Sequence, residues 1–288
     1  ATLAADMQLL ALAEQTAANA TRSLALTQSL NKAGLASGLD VQQAETVVQQ
    51  TRSDVAATTT QVAQDRNALE LLTGGPVEDA LLPGTLAELS AGVARVPGGL
   101  SSSVLLDRPD VQQAEHQLKA ANADLGAARA ALFPTISLTA ALGVASGALS
   151  SLFTNDNFEA SVTPSARYSI FGGGRGADVD AAKAERERYI AQYEGAIQAA
   201  FQEVADALAR AGTIGEQQAA QQALVSASRK YYTLADQRYR GGIDDYRTAL
   251  DAQRTLYSAE RSAIATDLAA ITNRITLYRV IGADFSGN

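Results

Sequence analysis

The residues able to do chemistry are few and scattered. His116 is the only histidine and there is no cysteine. Disulfides and thiolate metal sites are therefore excluded, and a serine–histidine–aspartate relay would rest on a single imidazole. His116 sits in a polar helical stretch and reads as a surface residue. Glu203 and Asp206 read as solvated acids of a long helix. Gly172 to Gly176 is glycine-rich, but it lacks the spacing to a Lys-Ser/Thr pair that a phosphate loop needs, so it reads as a strand-to-helix hinge. What remains is ion-pair and hydrogen-bond chemistry on helix surfaces. Asp251 and Arg254 stand three apart and share a helix face, an exposed pair worth roughly a few tenths of a kcal/mol. Tyr239 lies just before a glycine break, and Arg247 just after it, within reach of Asp244 or Asp251. This inventory points to no enzyme, with no catalytic residue, metal site or cofactor.

The elements that position these residues are long helices. Of 288 residues 47% are hydrophobic, yet only 5% are aromatic and Trp is absent. An alanine-rich, large-residue-poor chain of this kind suits helices in close lateral packing rather than a thick globular core. The net charge of −8 argues against nucleic acid as a partner. No apolar run approaches the length of a membrane-spanning helix.

Glycine and proline punctuate the chain. A helix over 1–32 meets the break 33–39, and a second helix runs from Asp40 to about Thr73. Residues 74–107 are mixed loop and short helix. Asp107 reads as the N-cap of a helix with Pro109 in its first turn, extending through about Ala131. After Gly176 a helical stretch runs from Ala177 to about Arg240, softened near Gly212 and Gly215. It would reach on the order of 95 Å if straight. Gly241-Gly242 breaks it, and a last helix spans about 246–281. The first residues already read as mid-helix, so the chain is expected to be a fragment or processed product.

Between Phe133-Pro134 and Ile170 the period changes from helical to two. Residues 136–144 alternate. From 158 to 170 Phe158, Ala160, Val162, Pro164, Ala166, Tyr168 and Ile170 form one face, opposed by Glu159, Ser161, Thr163, Ser165, Arg167 and Ser169. Strands of this length suit a tilted membrane barrel, with the apolar face toward lipid and Glu159 and Arg167 toward the lumen. A soluble hairpin packed on a helix would alternate as well. Pro164 is awkward, because proline lacks a ladder donor.

The two helical pairs repeat. A slide of 208 positions aligns Lys32 with Arg240, Gly34 with Gly242, Leu35 with Ile243, Ala44 with Ala252, Arg66 with Arg274 and Gly74 with Gly282. Each unit reads as helix, glycine tip, helix.

These features resemble the outer-membrane factor family of TolC-like and OprM-like efflux channels. The resemblance rests on the tips Lys32 to Val41 and Arg238 to Tyr246, on Leu250 to Arg254, on Asp107-Arg108-Pro109-Asp110-Val111, on Phe133-Pro134 and on Ile170 to Arg175. It implies a mainly α fold with a β-hairpin, in which long antiparallel helices form part of a trimeric α-barrel and two strands belong to a 12-stranded transmembrane β-barrel. The implied division is a first periplasmic helical hairpin at 1–73 (tip 33–39), an equatorial region at 74–107 and an ascending helix at 108–132. A membrane hairpin at 133–171 follows, then a descending helix and second helical hairpin at 172–288 (tip 241–246). An upstream segment would supply the other hairpin and, in many members, a lipid-bearing cysteine.

By the same resemblance the protein is a passive exit duct of the bacterial outer membrane, extending into the periplasm. Its partners would be outer-membrane lipid, two further copies, a periplasmic adaptor protein and an inner-membrane pump of the resistance-nodulation-division class. Gly34, Leu35, Ser37, Gly242, Ile243 and Asp245 would dock the adaptor. Tyr239, Arg247, Asp251 and Arg254 would gate the inner mouth, with Arg247 departing from the apolar residue usual there. The rival reading is a soluble coiled-coil scaffold or adhesin stalk, expected to show continuous heptads and to need no strands.

Overall fold

The computed structural model describes residues 1–82, 84–93, 96, 99, 101–147, 150, 158–170 and 174–281. Six helices and two strands carry the chain: α1 (Thr2–Lys32), α2 (Gly38–Thr73), α3 (Leu86–Gly92), α4 (Pro109–Ala130), β1 (Thr135–Val144), β2 (Phe158–Arg167), α5 (Arg175–Arg240) and α6 (Tyr246–Ile281). Short 3-10 turns occupy Asp79–Leu81 and Ser102–Asp107. The chain divides into two units, Ala1–Ser101 with Gln202–Asn288, and Ser102–Phe201.

In the first unit α1 packs on α2 and on α6, and α3 packs on α6. The helices approach closely along a series of small buried residues that recurs every seven positions. On α1 it is Ala13, Ala20 and Thr27; on α6 it is Ala252, Ala259, Thr266, Asn273 and Val280, beside larger buried residues such as Tyr246, Leu250 and Ile271. That spacing is the coiled-coil seam, in which a heptad keeps one stripe facing the partner helix. Heptads are thus present, so they do not separate the duct reading from the stalk reading. Two apolar clusters close the unit. One joins Ala20, Ala44, Val47, Val48, Tyr239, Tyr246, Ala249 and Leu250 near the tips. The other joins Ala4, Ala5, Leu86 and Ile271.

The repeat extends to packing. Ala44 and its counterpart Ala252 are both buried, as are Thr51 and Ala259. The paired arginines also act alike, each tying down the segment that follows α2. Arg66 forms an ion pair with Asp79, and Arg274 donates to the Ser90 carbonyl at 2.7 Å. Gly74 caps α2 at φ +78°, as a left-handed helix end requires. Its counterpart Gly282 lies outside the described residues.

In the second unit the helix start differs from the sequence expectation. The N-cap of α4 is Arg108, not Asp107. Proline at the first helical position drives its predecessor into extended backbone, here φ −63° and ψ 137°, so the cap falls on Arg108 and Asp107 closes the preceding 3-10 turn. Arg108 is buried and pairs with Asp110 at 2.6 Å. That guanidinium holds the Asp110 carboxyl below its ordinary range. α5 continues past the second unit, and in the first unit it runs without a break through Gly212 and Gly215. Each of these glycines costs about 1 kcal/mol in helix propensity, too little to stop a helix of 66 residues that packing supports.

Candidate functional site: hairpin tips and strand pair

The two tips are built alike, for the same backbone reason. At the end of α1, the Gly34 amide donates to Asn31 O at 2.9 Å and the Leu35 amide to Leu30 O at 2.8 Å. At the end of α5, the Gly242 amide donates to Tyr239 O at 3.0 Å and the Ile243 amide to Arg238 O at 2.9 Å. Both are Schellman closures, which need a left-handed residue after the cap. Gly34 (φ +73°) and Gly242 (φ +68°) supply it. The chain reversal then leaves Leu35 and Ile243 pointing outward, 77% and 67% exposed.

The helices that leave the tips are capped with exchanged chemistry. Ser37 caps α2: its hydroxyl accepts from the Asp40 amide at 3.1 Å, while its own amide donates to Asp40 Oδ2 at 2.9 Å. At the repeat-equivalent positions Asp245 precedes α6 and accepts from the Thr248 amide at 3.0 Å and the Thr248 hydroxyl at 2.8 Å. These two bonds lower the Asp245 carboxyl from its ordinary range, the backbone one first. The second tip is further braced by Arg238, which grips Asp244 through Nε at 2.5 Å and Nη2 at 2.8 Å. Asp244 is therefore engaged by Arg238 rather than by Arg247. Nothing in the sequence marks this pair, because a spacing of six meets only when a turn folds between the partners.

Tyr239 and the other gate candidates occupy different surroundings. Tyr239 is 5% exposed, and its hydroxyl lies 2.7 Å from Thr27 Oγ1 on α1, itself fully buried. The Thr27 hydroxyl hydrogen goes to Ser23 O at 2.9 Å, so Tyr239 is the donor of the shared bond. The Tyr239 ring tilts against Tyr246 at 5.4 Å. Burial pushes both phenols above their ordinary range. Thr27 thus links the first hairpin to the second, a role nothing in the sequence marked, since a threonine within a helix is ordinarily neutral filler. Arg247, Asp251 and Arg254 are exposed. Among the described residues no hydrogen bond or ion pair joins Asp251 to Arg254. Arg254 instead lines a cavity of about 170 Å³ with Thr16, Gln50, Asp54, Leu250 and Tyr257.

The strand pair has a single register. Ile136, Leu138, Ala140, Leu142 and Val144 of β1 stand opposite Ala166, Pro164, Val162, Ala160 and Phe158 of β2. The other face pairs Thr135 with Arg167, Ser137 with Ser165, Thr139 with Thr163, Ala141 with Ser161 and Gly143 with Glu159. One face is apolar throughout, and the other carries every polar side chain of the pair beside Ala141 and Gly143, with the Ser137 and Ser165 hydroxyls bonded at 2.8 Å. Every residue of both strands is exposed. Pro164 is accommodated because each strand has one ladder only and an open second edge. Where β2 leads out, the Arg175 guanidinium lies 5.9 Å from the Tyr168 ring. Of the expected hinge Gly172 to Gly176, positions 172 and 173 lie outside the described residues, and α5 already begins at Arg175.

The sequence profile described as "Outer membrane efflux protein" matches residues 1–75 and 100–283. The chain belongs to the outer membrane efflux protein family. It is 44% identical over 282 residues to the "Solvent efflux pump outer membrane protein SrpC" of Pseudomonas putida, covering 98% of this chain and 60% of that protein. Outer membrane protein OprJ of Pseudomonas aeruginosa is 39% identical over 240 residues, covering 83% of this chain and 50% of OprJ. Among solved structures, CusC superposes with a TM-score of 0.86 at 36% identity, covering 98% of this chain and 66% of CusC. The open state of the Neisseria gonorrhoeae MtrE outer membrane channel superposes with a TM-score of 0.77 at 35% identity, covering 98% and 65%. This efflux-family chain thus spans about three fifths of the length of SrpC and half that of OprJ. The mainly α fold with a strand pair superposes on about two thirds of the CusC and MtrE channels.

Proposed function

We propose that this chain is part of the outer-membrane exit duct of a tripartite efflux system, passing solutes driven by an inner-membrane pump and doing no catalysis itself. The observation that carries the reading is the strand pair, apolar on one face and polar on the other, with both faces bare. In water an isolated two-stranded hairpin with such a face is marginal. In a barrel wall both faces have a proper solvent, lipid outside and water inside. Ten residues at about 3.3 Å each, tilted by about 40°, rise about 25 Å, the height of the apolar band of such barrels. Three copies of the full-length protein would complete the barrel and helical tunnel.

The tips supply the docking reading. Leu35 and Ile243, held out by Gly34 and Gly242 and flanked by the caps Ser37 and Asp245, offer one apolar plug per repeat to the helical hairpins of a periplasmic adaptor. The pump is taken to be of the resistance-nodulation-division class. Tyr239, Arg247, Asp251 and Arg254 form the gate. Tyr239 holds the second hairpin to the first, while Asp251 and Arg254, not paired with each other among the described residues, reach neighbouring copies. The relatives are named for solvent, toluene and antibiotic efflux, which supports small organic molecules as cargo.

The test is the full-length protein in detergent and in planar bilayers. A trimeric mass and discrete channels are expected. Asp251→Ala with Arg254→Ala should raise the conductance of the closed state. A water-soluble monomer without conductance would overturn the duct reading, and unchanged conductance in the double variant would remove the gate assignment.

A further inference from the structure

The strand pair carries fixed charge at its two ends and none between. Among its twenty paired positions only Glu159 and Arg167 are charged. Both belong to the polar face, and both are exposed with no ion-pair partner among the described residues. Glu159 stands opposite Gly143, which offers no side chain, and Arg167 opposite Thr135. The intervening positions of this face are serine, threonine and one alanine, all uncharged. Eight residues of strand separate the two charges by roughly 27 Å, several times the Debye length of about 8 Å at physiological salt. Neither charge can neutralise the other. Their order along the duct is fixed by the chain: β1 begins just after α4 and β2 ends just before α5, so Arg167 lies at the helix end and Glu159 at the far end.

We propose that Glu159 and Arg167 are selectivity-determining residues, making the lumen wall bipolar, cation-attracting at the end remote from the helices and anion-attracting at the helix end. The inference rests on the duct reading, in which each residue occurs once per copy around the lumen. Rings of like charge lining a pore bias which ions enter, and their reach is set by screening. The ions concerned are small and inorganic. In a wide barrel the effect is one of local concentration, so it belongs to low ionic strength.

The experiment measures zero-current potentials of the full-length channel in planar bilayers under a KCl gradient, at salt low enough that the Debye length is about 10 Å or more. Glu159→Gln should shift the K⁺/Cl⁻ permeability ratio toward chloride by about twofold or more, and Arg167→Gln should shift it toward potassium by as much. The charge-preserving variants Glu159→Asp and Arg167→Lys should leave the ratio unchanged. The exchange Glu159→Arg with Arg167→Glu should reverse any asymmetry of the current–voltage curve. Both shifts should collapse near 1 M salt, where the Debye length is about 3 Å. Conducting channels whose ratio stays put in both glutamine variants would overturn this inference and leave the duct intact. Failure of the wild-type protein to conduct would overturn the duct reading itself.

Discussion

The hydroxyl pair Thr27–Tyr239 gives the most exacting test of how the two hairpins are held together. Both groups are buried, and the direction of the bond is fixed, with Tyr239 donating and Thr27 accepting while Thr27 donates to Ser23 O. Tyr239→Phe removes the donor and leaves Thr27 bonded to its own helix. The loss is one ordinary hydrogen bond, about 1 kcal/mol. Thr27→Val keeps shape but strands the phenol hydroxyl in the apolar cluster of Val47, Val48 and Leu250. A buried donor without an acceptor costs about 2 kcal/mol. The order is therefore asymmetric: the change on the threonine side is the worse one. In the double variant nothing is left stranded, so the cost falls to that of Thr27→Val or below. Hydrogen–deuterium exchange of the full-length protein reads this directly in peptides covering residues 20–32 and 234–250. Local opening should accelerate about fivefold in Tyr239→Phe and about thirtyfold in Thr27→Val, with the double variant no faster than the latter. An additive result, on the order of 150-fold, would mean that the two hydroxyls act independently and would refute the reasoning.

Further outcomes follow from the same structure. Gly34→Ala and Gly242→Ala should each cost about 1 to 2 kcal/mol of tip stability in that exchange assay, purely from positive φ, because an added Cβ meets no neighbouring atom at either position. The Asp6 carboxyl is pushed up to about 6, first by burial and then by Asp65 across the α1–α2 seam. Between pH 4 and 6 the folded state keeps a proton that the unfolded chain has released. This contribution is therefore fully present below about pH 4 and lost as pH rises through about 6. Asp6→Asn should flatten that slope in urea melts and add about 1 kcal/mol at pH 7, after allowance for the screening of a partly exposed pair. Leu138→Arg, in mid-strand on the apolar face, should weaken insertion of the full-length protein into lipid vesicles by about 2 to 4 kcal/mol, whereas Thr139→Arg on the polar face should leave it nearly unchanged.

The long elements were legible because their signals are local. Glycines at 34, 74 and 242 must sit where a helix ends left-handed, and the alternation from Phe158 to Arg167 survives a proline because the sheet has an open edge. The repeat was legible for the same reason, since both tips need the same residue at the same turn. The α4 cap was misread because aspartate is the commoner cap, and the constraint imposed by Pro109 on its predecessor outweighed that preference. Thr27 and the Arg238–Asp244 clamp were not legible at all. Each depends on which helix faces lie together or on how a turn folds back, and sequence spacing within one element carries no such information.

The strand pair has a consequence for how the chain reaches its final state. A hairpin with two open edges and an outward row of Ile136, Leu138, Leu142, Val162 and Phe158 is a template for pairing with any exposed strand. The helical seams can mature in water, since their small buried residues find each other along one chain. The strands cannot, because the medium that satisfies their apolar side is not aqueous. Maturation of such a chain is therefore a journey between two solvents, and the interval between leaving one and entering the other is when the hairpin most needs an escort.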